Sequence, residues 1–388
     1  MITKYVRDHT CSLDIMVGDH RQATSWIIGE CIKKRVQTKK GGYKPQDIIS
    51  DIQLDHGVNI SYEKAWRARE SVYETLRGSP EANYSVLPSY LYMLEKMNPG
   101  SVVDLVTDDR NQFKYLFVAL NASIKGWMNC APVVAIDGTF LMSKYHGTMF
   151  VAVCKSGDNH IFPLAVGIGD SENDDSWEWF LNKFKLAYGE REGLVFVSDR
   201  HKSIATVLKK VFPNAMHGIC MYHLKGNLKA SYSKVIVDDL FLLCAKAYRM
   251  CQFEHYMHQM AMLDPRIRPY LHKIGYEKWS RVYTTGRRYS ILTTNIAESM
   301  NSATKHGRGL PVAAFVEWFR GMLQSWFCKR LTIGLKMASP LTTWAEDELR
   351  KRNKASLYMK VITKFGSSFF NYLNVVLMVY IYFNRLKL

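Results

Sequence analysis

Acidic residues are the scarce commodity of this chain: 35 Asp and Glu face 52 Lys and Arg in 388 residues, a formal charge of +17. That shortage of negative charge favours polyanionic partners, nucleic acid first and an acidic membrane second. Cysteine is also sparse, eight in all, without the close pairing of a disulfide framework, which suits a reducing compartment. The first fifteen residues, MITKYVRDHTCSLDI, mix charges of both signs and lack an apolar core, so no signal peptide is expected there. There is no internal repeat and no low-complexity tract. The 47% hydrophobic content instead predicts a folded chain with room for two or three domains.

Long apolar runs are absent with one exception. Residues 365–384 carry no charge and contain FFNYLNVVLMVYIYF. Ser367, Ser368, Asn371 and Asn374 interrupt the first half, so no membrane anchor is expected, although a basic tail-anchored protein is the reading this run alone would support.

Residues 30–110 read as a basic helical region. KKRVQTKKGGYKP (33–45) is expected as a basic loop, and its KKRVQTKK (33–40) has the character of a nuclear import signal. PQDIISDIQLDHG (45–57) and SYEKAWRARESVYETLRG (61–78) predict two helices; Ala65, Ala68, Val72 and Leu76 repeat at helical spacing. Joined by GVNIS, the pair resembles a helix-turn-helix with Lys64, Arg67 and Arg69 on its second helix, but a plain helical hairpin with a solvated basic face is the favoured reading.

The centre is β-rich. VVAIDGTFL (133–141), GTMFVAVCKS (147–156) and IFPLAVGIGD (161–170) have the short links of an antiparallel meander. DDSWEWFLNKFKLAYG (174–189) spaces Trp177, Phe180, Leu181 and Phe184 as an amphipathic helix, which assigns Trp177, Trp179 and Phe180 to a core rather than to base stacking. LVFVSD (194–199) predicts a strand, HKSIATVLKKVF (201–212) a helix, and HGICMYHL (217–224) a strand. The fold class is therefore α/β, a mixed sheet in the order βββαβαβ, followed by a helical insertion over about 225–290.

Two carboxylates stand at strand ends, Asp137 in AIDGT and Asp199 in VFVSDR. On parallel neighbours they emerge at one sheet edge, where a shared divalent cation lets them sit close without one taking up a proton. Each also has an ordinary alternative: Asp-Gly is a turn dipeptide, and an Asp before a helix often caps it. TTNIAESMN (293–301) offers a third acid, Glu298, which with Asn295 also has capping-box spacing. Cys220 and His223 stand three apart, which fits half a zinc site or a buried thiol beside a surface imidazole. From Arg200 to Val237 there are seven basic residues (Arg200, Lys202, Lys209, Lys210, Lys225, Lys229, Lys234) and no acid. Lys305, His306 and Arg308 follow Glu298 in the same way. Such charge beside a metal site suits a DNA backbone.

VVAIDGTFLMSKYHGTMFVAV, GIGDSENDDSWEWFL, VFVSDRHKSIATVLKKVFPNAMHGICMYHLKGNL and TTNIAESMN, four blocks in order across residues 131–330, resemble the plant Mutator-like element transposase domain. The resemblance implies an RNase H-like core and a catalytic triad on Asp137, Asp199 and Glu298 that binds Mg²⁺ or Mn²⁺. It also places Cys220 and His223, followed by Asn227, in the active-site region. The implied activity is cleavage and strand transfer on double-stranded DNA in the nucleus, with room for a homo-oligomer and no membrane. The alternative is a domesticated DNA-binding regulator of transcription that no longer cuts. The chain departs from the family at both ends. His9 and Cys11, in residues 1–20, look like the last piece of a WRKY-like zinc module, so Zn²⁺ is expected only if that module is completed. No cysteine follows Cys328 to form a SWIM finger, and residues 331–388 are expected as a divergent tail.

Overall fold

The computed structural model describes residues 22–38, 43–144, 146–232, 235–286, 288–289 and 291–357. The chain divides into two compact units, Met1–Leu87 with Leu310–Phe315, and Pro88–Gly309 with Val316–Leu388. The first contains α1 (Ser25–Thr38), α2 (Pro45–His56) and α3 (Tyr62–Arg77). Pro45 opens α2, where its missing N–H costs nothing, and Gly57 closes it at φ 66°. Ser61 caps α3 by accepting from the Lys64 N–H at 3.2 Å. Ile28, Ile32, Ile48, Ile52, Ala65, Ala68 and Val72 form the core of this unit. The stretch expected as a loop over 33–45 is helical as far as Thr38, because Ile28 and Ile32 carry α1 into that core. On α3, Arg67 pairs with Glu63 and Arg69 with Glu70, so two of the three basic residues proposed for a groove-reading helix are engaged locally.

Along the chain, α4 (Pro80–Met97) precedes β1 (Val102–Thr107), β2 (Phe113–Ala119) and α5 (Asn121–Gly126). The meander follows as β3 (Val133–Phe140), β4 (Thr148–Lys155) and β5 (Ile161–Gly169). Then come α6 (Asp174–Tyr188), β6 (Val195–Ser198), α7 (Lys202–Val211) and β7 (Met216–Ile219). One seven-stranded mixed sheet results, in the order β1-β2-β5-β4-β3-β6-β7. The pairs β3–β6 and β6–β7 are parallel, and the others antiparallel. From β3 onward this is the expected βββαβαβ order. The hairpin β1–β2 is an addition that the sequence reading did not contain, and β1 lies inside the stretch read as helical. Its turn is built by Asp108, whose carboxylate accepts the N–H groups of Arg110 and Gln112, a short local device with little apolar pattern.

Trp177, Phe180, Leu181 and Phe184 of α6 and Ile204, Val207 and Leu208 of α7 pack with Val134, Ile136, Phe150 and Phe196 of the sheet. Trp177 and Phe180 are core residues, as expected. Trp179 is half-buried, donates from its ring N–H to Asp104 at 3.0 Å and stacks on Tyr115. The helical insertion comprises α8 (Met221–Tyr232), α9 (Val235–Lys246), α10 (Met250–Leu263) and α11 (Ile267–Ile274). It has its own core around Leu224, Phe241, Phe253, Met257 and Trp279. The chain continues through α12 (Asn295–Ala303), α13 (Val312–Leu335) and α14 (Thr343–Ser356), so the expected tail is helical over its first part. His9, Cys11, Lys234 and the apolar run 365–384 lie outside the described residues. Among the described residues no helix is long and apolar enough to cross a membrane.

Candidate active site

Strand alternation places the first two carboxylates. Ala135 on β3 is the register partner of Val197 on β6. Two residues beyond that pair on each chain stand Asp137 and Asp199, on the face opposite Val134, Ile136 and Phe196, which point into the α6/α7 core. Asp137 is not in a turn: β3 continues to Phe140 against β4, while its pairing with β6 ends at Ala135. Asp199 immediately follows β6. Its Oδ1 accepts the His201 N–H at 3.0 Å, a tight local turn, while α7 starts after His201 with no side-chain cap.

The third acid arrives on α12, which packs against β3 and β4. Asn301 on that helix donates from Nδ2 to Asp137 Oδ2 at 2.8 Å. Glu298, three residues earlier on the same helix, is thereby carried to the same edge. The capping-box alternative does not hold, because Thr294 is the N-cap and Asn295 the first helical residue. Glu298 Oε1 instead accepts from the Thr294 hydroxyl at 3.1 Å.

Sequence reasoning missed a fourth acid. Glu172, in the loop before α6, lies over Gly138 so closely that a Cβ at that glycine would collide with its carboxyl group. Burial, then the charges of Asp199 and Glu172, push the Asp137 carboxyl up to about 7 although His223 works against them. Burial and Asp199 likewise raise Glu172. The Asn301 Oδ1 is buried and finds no hydrogen-bond partner among the described residues. A crowd of carboxylate oxygens with an orphaned amide oxygen beside it is a donor set that fits a hard divalent cation. The glycine after Asp137 was the only sequence signal for Glu172.

The structure corrects the expected strand over 217–224: β7 ends at Ile219 and α8 begins at Met221. This matters for Cys220 and His223. On a strand, residues three apart face opposite ways, whereas at a helix start they share a face. A hydrogen bond donated to the Cys220 sulfur raises His223 to about 9, against its partial burial and with help from the charges of Cys220, Glu298 and Asp199. Burial of Cys220 opposes its ionisation, but hydrogen bonds from His223 and Thr294 outweigh it and hold the thiol below its ordinary value. Cys220, His223 and Glu298 place one sulfur, one ring nitrogen and one carboxylate oxygen within 4.8 Å of one another. Behind Asp199, half-buried His217 contacts the Ser198 hydroxyl through Nε2 at 2.9 Å. That hydroxyl donates to the Asp199 carbonyl, so the His217 Nε2 is the protonated nitrogen.

The basic residues separate by position. Arg200 and Lys202 are exposed directly after Asp199, and Arg200 donates to the Tyr270 hydroxyl at 2.6 Å. Lys209 and Lys210 sit at the far end of α7, ~10 Å further on at 1.5 Å per residue, and Lys210 pairs with Glu178 at 2.6 Å. Lys225 is half-buried and faces Asp238 at 3.7 Å, while Lys229 and Lys305 are exposed. Arg308 is committed to the fold: its guanidinium donates to Thr139 Oγ1 at 2.7 Å and to the Phe140 carbonyl at 2.8 Å, pinning the end of β3.

Residues 133–227, from β3 into α8, match the family model of the MULE transposase domain. This stretch is similar to the MULE transposase domain. The MULE-matching stretch contains Asp137, Glu172, Asp199, Cys220 and His223, with Glu298 beyond it. Over 242 residues the chain is also 21% identical to Protein FAR1-RELATED SEQUENCE 5 of Arabidopsis thaliana, an alignment covering 61% of this chain and 30% of that protein. The chain thus spans about 30% of the length of the curated relative it matches. Both likenesses support a transposase-derived protein.

Proposed function

We propose that the chain is a Mutator-like DNA transposase core, cutting and joining strands of duplex DNA with Asp137, Asp199 and Glu298 holding magnesium or manganese. The observation that carries this reading is the convergence of the three acids. Two come from parallel neighbours on one face of the sheet, and the third from a helix tied to the first by the Asn301–Asp137 hydrogen bond. Divalent cations held by Asp137, Asp199 and Glu298 would supply a lowered pKa for an attacking water or 3′-hydroxyl and charge neutralisation at the leaving oxygen. The protein's own part is positional. Asn301 fixes the orientation of Asp137, His201 that of Asp199, and Thr294 that of Glu298. Arg200 and Lys202, exposed beside Asp199, are the residues offered to the phosphate backbone in this reading, and a DNA substrate supports a nuclear location.

The test is metal-dependent nicking and joining of duplex DNA by the purified chain. Activity should need Mg²⁺ or Mn²⁺, and Asp137→Asn, Asp199→Asn and Glu298→Gln should each lower it by at least about 100-fold while DNA binding persists. Binding without cleavage by the wild type in either metal would support the non-catalytic DNA-binding regulator instead.

A further inference from the structure

We propose that Cys220, His223 and Glu298 form a second metal site, selective for a soft divalent cation of the zinc class and sharing Glu298 with the hard-cation site. The soft-metal site itself stands on this triangle, and only the sharing of Glu298 rests on the proposed function. Thiolate and imidazole select zinc-like ions, whereas magnesium takes oxygen. In a tetrahedral zinc site the ligand atoms stand roughly 3.3–3.6 Å apart. The three here lie within 4.8 Å, and His223 Nε2 to Glu298 Oε1 is already 3.9 Å. Closing the site therefore needs the ligand atoms to approach one another by at most about 1.5 Å.

Local structure supports the same assignment. Cys220 leaves β7, His223 sits in the first turn of α8 and Glu298 in that of α12. One buried residue orients two of the ligands: Thr294 donates its N–H to Cys220 Sγ at 3.3 Å and its hydroxyl to Glu298 Oε1 at 3.1 Å. Such outer contacts hold ligands ready for metal. Side-chain exposures of 45% and 47% at His223 and Glu298 leave the ion a route in and a fourth position for water. Binding replaces the Cys220 S–H bond by a sulfur–metal bond and releases the proton to solvent. With zinc bound, Glu298 is withdrawn from the oxygen site, so the soft ion opposes any chemistry that needs Glu298 there.

Cobalt titration of the full chain after chelator treatment tests this, with Co²⁺ as the visible stand-in for zinc. The expected result is a thiolate-to-cobalt charge-transfer band with tetrahedral visible bands, reversed by Zn²⁺ and not by Mg²⁺. Cys220→Ser should remove the charge-transfer band. His223→Ala and Glu298→Gln should weaken cobalt binding at least about tenfold, and Thr294→Val by 10–100-fold. Asp137→Asn, which dismantles the oxygen site, should leave the cobalt spectrum unchanged. Persistence of the band in Cys220→Ser overturns the proposal, as does unchanged cobalt affinity in Glu298→Gln, whose exposed position makes misfolding no escape. Absence of a thiolate band in the wild type does so as well.

Discussion

Asp137 works against the stability of the fold that presents it. Its folded pKa, about 7, stands above that of an unfolded aspartate. The sign follows from linkage: the proton is held more tightly in the native state, so the stability it contributes is complete below about pH 4 and is lost as pH rises through about 7. Asp137→Asn should therefore stabilise the metal-free protein at pH 7.5 by roughly 4 kcal/mol, with the gain vanishing near pH 4. Denaturant melts in chelator across that range check it, and added Mg²⁺ should narrow the difference by stabilising only the wild type. His217 behaves oppositely. Burial, then Lys278 and Arg288, depress it to about 4, so its contribution is present above about pH 6.5 and lost as pH falls toward 4. His217→Gln should flatten the acid limb of the stability curve in that window, at some cost at neutral pH from imperfect packing.

At the scale of the element, α12 delivers the third acid, and a single hydrogen bond registers it on β3. Asn301→Ala leaves Glu298 and Asp137 in place chemically but removes that registration. Cleavage should fall about 10–100-fold without being abolished, as steady-state rates at saturating metal would show. Gly138→Ala makes a related forecast at β3. A Cβ there meets the Glu172 carboxyl, the far end of a flexible side chain, so the fold should hold while Glu172 swings away. If Glu172 contributes to the crowding of Asp137, the Asp137 carboxyl should then titrate at lower pH by NMR in the Gly138→Ala protein. The junction between β7 and α8 is as consequential: two residues of helix at its start decide whether Cys220 and His223 meet.

For the whole molecule, a charge of +17 would make the proposed DNA binding salt-dependent, with the fold deciding which charges take part. Arg200 and Lys202 adjoin the carboxylates, whereas Lys210 is paired with Glu178 at the far end of α7. Lys202→Ala should lower the slope of log affinity against log salt by about 0.9, and Lys210→Ala should leave it unchanged. Equal effects of the two would count against a DNA path beside Asp199.

The order βββαβαβ, the buried faces of α6 and α7 and the placement of Asp137 and Asp199 were legible in the sequence. Strand and helix periods are local properties, and a parallel crossover leaves few topologies open. The residues that complete the site were not, because nothing local joins them. Asn301 meets Asp137 across 164 residues and Thr294 meets Cys220 across 74. Glu172 enters because Gly138 has no side chain, and Arg308 leaves the pool of DNA-facing charges because Thr139 and Phe140 engage it. The hairpin β1–β2 was likewise hidden, its half-exposed first strand lacking a strong apolar pattern. Sequence by itself determined which chemistry the chain carries, since residue type and period are written along it. Tertiary structure alone decided which of those groups face one another, since burial, hydrogen bonding and mutual charge arise only when distant segments pack.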